Sequence, residues 1–431
     1  MWKVFFRPDV MFGLALVQGL LPYVLWWSGL DKAPESSSFT YLPVLIWFIA
    51  YAAFLLGTAT AKARHVATQY SIAPFSRSVT VFVWTMAILL IVQLIAVTAV
   101  YGTLPILSFL RHDGLLNIDD VNTMQEASGF GQIGLLITSN VVFNGALLLR
   151  LLCHLDAKRR LSLSTAGFLL LSVLSALYDG KRQGLMITVV YLACGLSLYC
   201  GSPALAVSRL LRLPRGTRLV TPVLFILTLL GLVGVVGFVS GARNQGARGR
   251  SGTAELIAYL EYPLLNLERQ TQDSGLGPYS FDVFYPVLTL VPFKFQHSLG
   301  QSLIPAPPKL VPSSPSSFFE RLQWGWGPIG IALFCFAAGA ITMRLYYRIR
   351  VNVGALLIYC LCAYALFSAY AYNHFLNLVF LPIPAVIFAV CANGLWSASP
   401  GPVFRIPCVG RTAQGRRRHL SRAAFSQVEP G

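Results

Sequence analysis

The chain alternates long apolar blocks with short polar connections. Ten blocks stand out: Val10 to Leu30, Tyr41 to Ala61, Val79 to Val100, Gly131 to Leu151, Leu161 to Leu177, Gly184 to Cys200, Leu219 to Ser240, Gly327 to Met343, Val353 to Tyr370 and Phe375 to Ala392. A helix needs about 20 residues to cross a hydrocarbon core about 30 Å thick, and the blocks match that length. The pattern predicts an all-α, polytopic transmembrane bundle of about ten spans, with nine and eleven as the neighbouring counts. The fifth and sixth blocks are short and separated only by Tyr178 to Gln183, so they read as a hairpin with room for a re-entrant turn. The first block lacks a small-residue cleavage pattern and is followed at once by more spans, which predicts an uncleaved anchor.

One connection is long. Residues Gly241 to Trp326 open with a Gly/Arg stretch, turn apolar and end in the Pro/Ser-rich segment Pro305 to Ser317. Within this connection Ala254 to Leu267 reads as an amphipathic helix. Phe281 to Phe295 is an apolar run broken by Pro286 and Pro292, too short and interrupted to span. Non-helical backbone survives at membrane depth only where protein or water satisfies it, so this loop is expected to lie in the interface or fold back as a lid. No internal repeat is visible. The expected organisation is a membrane domain over 1–396, including the external loop 241–326, and a basic, disordered cytoplasmic tail over 397–431.

Composition supports the class and adds an orientation. Of 431 residues, 55% are hydrophobic and 11% charged, against roughly a quarter charged in a soluble domain. Cytoplasmic connections retain Lys and Arg. Such residues cluster at Lys3 and Arg7, at Lys62, Arg64 and Arg77, and at Lys158, Arg159 and Arg160. They cluster again at Arg209, Arg212, Arg215 and Arg218, at Arg344, Arg348 and Arg350, and in six Arg after Val403. Both termini are therefore expected in the cytoplasm, with the long loop outside. The net charge of +17 is then mostly topological, the tail lying against anionic lipid head groups, and nothing points to nucleic acid. All eight cysteines fall within expected spans or on the cytoplasmic side, which argues against a disulfide framework or a zinc site.

Candidate chemistry lies where charge breaks the orientation rule. Lys181 and Arg182 sit in the tight external turn of LYDGKRQGLM, and Arg243, Arg248 and Arg250 in SGARNQGARGRSG. Arg presents a planar fork that matches phosphate oxygens, and the interleaved glycines let backbone approach such a ligand. A lipid-linked phosphate is the leading inference. The alternative is that long loops translocate whatever their charge, leaving these cations on lipid head groups. His112, His297 and His374 fall on the external side and are able to take a proton near neutral pH, or to serve as packing groups. The external acids, Glu261 and Glu268 among them, read mostly as solvated surface groups. The adjacent Asp119 and Asp120 lack a supporting metal-ligand pattern, so no metal or other cofactor is expected.

Taken in order, ALYDGKRQGLMI, FVSGARNQG, YLEYPLLNLERQTQDSGLGPYSFDVFYPVLTLVP and ERLQWGWGPIGIALFCFAAGAITMRLYYR resemble the turn, Arg segment, long loop and Gly-containing helix start of oligosaccharide repeat-unit polymerases of the O-antigen polymerase kind. The resemblance covers roughly Leu161 to Arg348. The chain departs from the family's acidic-aromatic-Gly entry by placing Gln323, Trp324 and Gly325 before Trp326 and Gly327, with Glu320 close by.

The resemblance implies a metal-independent C-type glycosyltransferase of the bacterial inner membrane. It would polymerise undecaprenyl-diphosphate-linked oligosaccharides on the periplasmic face, for O-antigen, capsule or exopolysaccharide. Membrane lipids, a chain-length regulator and a flippase are the expected partners. In such chemistry Arg182, Arg243 and Arg250 stabilise the departing diphosphate, and Lys181 and Arg248 assist in binding. His297 and Glu261 are the candidate bases. A related glycan ligase shares the leaving-group chemistry. A transporter of lipid-linked or anionic cargo would instead need charges at mid-membrane.

Overall fold

The computed structural model describes residues 2–28, 41–62, 72–101, 130–178, 182–212, 261–271, 318–349, 351–370, 373–376 and 380–397. No strand occurs among them. A single turn, α1 (Trp2–Phe5), leads into α2 (Pro8–Trp27). Five helices follow: α3 (Leu42–Thr60), α4 (Ser76–Tyr101), α5 (Phe130–Asp156), α6 (Leu163–Tyr178) and α7 (Arg182–Cys200). Short α8 (Pro203–Leu210) precedes α9 at residues 261–271. Finally come α10 (Glu320–Arg348), α11 (Val353–Phe367) and α12 (Pro382–Ser397).

Local sequence sets several of these boundaries. Proline opens α2 and α8, where a missing N–H costs nothing. The Asn352 side chain caps α11 by accepting from Gly354 N at 2.7 Å and Ala355 N at 3.3 Å. Within α10, Gly327 has φ 62° and ψ −162°, a conformation open essentially to glycine, and Pro328 restarts the helix after it. The expected start of the eighth span therefore falls on a break between a short entry helix and the long segment that follows.

Five helices among the described residues are long and apolar enough to cross a membrane: α2, α3, and the apolar parts of α4, α5 and α10. A sixth is counted if α7 and α8, bent by 85° across Gly201, are taken as one. This is fewer than the ten expected. The seventh expected span lies outside the described residues, while α6, α11 and α12 are shorter, at 16, 15 and 16 residues. The reason is plainest in α11, where all but one residue from Val353 to Leu366 is buried. A helix wrapped by other helices has no lipid to match, so hydrocarbon thickness does not set its length.

Contacts fix the relative directions. Gly13 meets Tyr51 and Gly19 meets Trp47, so α2 and α3 are antiparallel. Asn140, Asn144 and His154 of α5 meet Ser175, Ser172 and Thr165 of α6, again in reverse order. Tyr346 donates to the Lys3 carbonyl at 3.0 Å, Tyr359 to that of Phe6, and Arg212 to that of Lys158 at 3.2 Å. These bonds gather the starts of α2, α6 and α11 and the ends of α5, α8 and α10 at one basic end of the bundle.

The tightest approach is between α3 and α10. A Cβ built on Gly57 would collide with the Phe336 carbonyl, and one on Gly339 with the Phe54 carbonyl. Lipid offers no hydrophobic drive between helices, so such close backbone packing carries the association. Gly57→Val should lower stability by about 1–3 kcal/mol or prevent folding, read as the thermal transition of the detergent-solubilised protein. Nothing lies within 4 Å of a Cβ at Gly167, so Gly167→Ala should be neutral or stabilise by up to about 1 kcal/mol.

Candidate functional site

The end opposite the basic one begins with the α6–α7 hairpin. Arg182 is the first residue of α7, and Lys181 lies outside the described residues. Just beneath, the two helices meet closely: a Cβ on Gly184 would lie 2.8 Å from the Ala176 carbonyl oxygen. Below that contact sits a polar network joining three helices. Asn144 Nδ2 donates to Thr188 Oγ1 at 3.0 Å and to Asn140 Oδ1 at 3.3 Å. The Ser172 hydroxyl donates to Asn144 Oδ1 at 2.5 Å, and the Ser175 hydroxyl lies 3.3 Å from Asn140 Oδ1. A buried amide must find partners or cost several kcal/mol. The network thus ties α5, α6 and α7 into one register directly under the turn.

At the same end, α9 is carried on α2. The Trp26 indole N–H donates to Glu261 Oε1 at 2.9 Å. About two turns further along α9, Glu268 lies close enough to the Tyr23 hydroxyl to act on it electrostatically. Apart from half-buried Glu261 and exposed Arg269, every residue of α9 is buried. Glu268 is 4% exposed, and Asn266 and Gln270 are fully buried. Such a polar helix is not bedded in hydrocarbon; it is enclosed by protein.

The entry to α10 brings the chain back inside. Phe318 N donates to the Ala369 carbonyl at 3.2 Å, and Asn373 Nδ2 donates to the Phe318 carbonyl at 2.9 Å. The Phe318 ring lies 5.9 Å from that of Phe12, in the first half of α2, and Phe319 lies 4.6 Å from Trp47. The end of the long loop is therefore clamped between helices rather than left on the surface. Gln323, in the same entry, is 1% exposed.

The expected site residues divide accordingly. Glu261 is at the mouth, but one of its oxygens is engaged by Trp26. Arg243, Arg248, Arg250 and His297 lie outside the described residues, as do His112, Asp119, Asp120 and the tail from Ala398 onward. His374 is 2% exposed and packs against Tyr364 and Phe380, with ring centroids 5.3 and 4.3 Å away. Burial pushes its pKa down to about 3, which makes it a poor proton acceptor. The expected helix Ala254 to Leu267 overlaps α9, which runs on through Thr271. Glu268, read from sequence as a surface acid, is instead buried. The signal was present: in EYPLLNLERQT the apolar positions surround the helix and leave no single polar face.

Among the described residues no three His, Cys, Asp or Glu side chains form a group able to hold a metal ion. No known protein family, curated protein or solved structure matches the chain.

Two outcomes follow. With Cys introduced at Arg269 or Asn266, a membrane-impermeant maleimide should label the first and spare the second in the intact protein; equal labelling would show that α9 is not enclosed. For His374 the folded pKa of about 3 lies below the unfolded value of about 6.5. The unfolded state therefore binds the proton first, and stability falls as pH drops from about 6.5 towards 3. The loss should reach about 2 kcal/mol by pH 5, and His374→Phe should flatten that part of the thermal-stability profile.

Proposed function

We propose that the chain is a membrane glycosyltransferase that joins undecaprenyl-diphosphate-linked oligosaccharide repeat units. The observation that carries this reading is that acidic α9 is enclosed at the same end of the bundle as Arg182, the first residue of α7. The likeness of Leu161 to Arg348 to repeat-unit polymerases supports it. So does the bracing of the α6–α7 hairpin by the Asn144 network.

In the reaction, a sugar hydroxyl oxygen of the incoming unit bonds to the anomeric carbon of the growing chain. The bond from that carbon to the diphosphate oxygen breaks, its electron pair leaves with the lipid diphosphate, and the hydroxyl proton passes to a base. Arg182, Arg243 and Arg250 stabilise the departing anion, each well-placed donor contributing about 3–4 kcal/mol. Lys181 and Arg248 hold the diphosphate. With Glu261 anchored on Trp26, buried Glu268 joins His297 as a candidate base. The basic end faces the cytoplasm by the positive-inside rule, and α9 with the long loop faces the periplasm of a bacterial inner membrane. A flippase delivers substrate to that face, and a chain-length regulator acts on the product.

Complementation of a polymerase-deficient host tests this. Wild type should restore long glycan chains, and Arg182→Ala and Arg243→Ala at matched protein level should leave mostly single repeat units, a rate loss of about a hundredfold or more. Long chains from both variants would remove the diphosphate clamp. Polymer stranded on its lipid carrier after gene loss would favour a ligase.

A further inference from the structure

A second polar feature lies at the other end of the molecule, where α4, α5 and α6 pack together. Arg150 sits six residues before the end of α5, about 9 Å along the helix, within the segment apolar enough to span. Its Nη1 donates to Thr80 Oγ1. Its Nε is buried and meets no protein acceptor, and no ion pair to Arg150 occurs among the described residues. An uncompensated guanidinium at this depth is costly.

His154, one turn further along, is 7% exposed. Its Nε2 lies 3.0 Å from Thr165 Oγ1, which lies 2.8 Å from Ser162 Oγ. When Ser162 donates to Thr165 and Thr165 donates to Nε2, the ring proton is left on Nδ1. That nitrogen is buried and has no protein partner. In that tautomer two buried N–H donors without a protein partner, one of them cationic, lie one helical turn apart.

Toward the bundle middle Trp84 of α4 and Phe168 of α6 pack edge to face at 4.9 Å. At the basic end Arg77 and Arg159 are exposed. The carboxylate there, Asp156, accepts from Ile72 N at 2.9 Å and makes no ion pair with Arg150. Val81 and Trp84 on α4 present exposed apolar surface beside Thr80, so a lipid has lateral access.

We propose that this junction of α4, α5 and α6 binds the phosphate of an anionic phospholipid head group from the leaflet at the basic end. Arg150 Nε supplies one charge-assisted hydrogen bond and His154 Nδ1 a second. The lipid then neutralises an Arg that lies within an apolar span. The site is separate from the proposed glycosyl-transfer site, at the opposite end of the bundle.

The test uses the full chain in phosphatidylcholine nanodiscs with and without phosphatidylglycerol, reading retained lipid by native mass spectrometry and the thermal transition. Wild type should retain phosphatidylglycerol and unfold at higher temperature in its presence. Arg150→Gln should fold, retain about tenfold less, and lose the thermal shift, while Arg159→Gln, at the exposed mouth, keeps most of both. Should Arg150→Gln fail to fold, Thr165→Val, which leaves the charge but releases the His154 tautomer, should lower retention about threefold. Retention unchanged in the variant that folds overturns the proposal. A thermal shift with inorganic phosphate alone, absent with phosphatidylglycerol, overturns the lipid assignment.

Discussion

Hydrocarbon offers no hydrogen-bond partner, and that single constraint organises this molecule. Every described element is helical because a helix satisfies its own backbone. The same rule governs the hydroxyls inside the helices. Thr58 donates to Leu55, Thr80 to Ser76, Thr98 to Leu94, Ser197 to Ala193 and Thr342 to Ala338, each to a carbonyl of the preceding turn. Where an amide cannot be served within one helix, three helices converge to serve it, as Asn144 shows.

Polar groups that exceed this local supply are sorted to the two ends. One end takes most of the lysines and arginines that flank the helices, Arg182 lying at the other. The other takes α9, whose acids, amides and threonine are enclosed rather than exposed. Between them α11 is almost wholly buried and the α3–α10 crossing brings backbones into contact through Gly57 and Gly339. A closely packed middle of this kind braces the α6–α7 hairpin and the re-entering segment before Gly327, as the proposed transfer of a sugar hydroxyl onto a diphosphate-activated carbon would require.

Hydropathy made the helical membrane class and most helix positions legible, and the glycine at 327 marked a real break. Span count was less legible, because hydropathy cannot tell a helix that meets lipid from one like α11 that meets only protein. Burial of Glu268 was missed for a related reason: an acid in a loop reads as solvated until its helix is seen to be enclosed. Arg150 was hidden inside an apolar block, where one charge barely alters the average. Of the residues singled out for diphosphate chemistry, only Arg182 and Glu261 fall on described elements, so the site is legible in part.

The most direct test is chemical. Purified full-length protein in liposomes, supplied with undecaprenyl-diphosphate-linked repeat units, should release lipid diphosphate and yield a ladder of glycan lengths, and Arg182→Ala should abolish both. Failure of the wild-type protein to lengthen the glycan, with the substrate intact and the protein folded, would contradict the assignment as a polymerase.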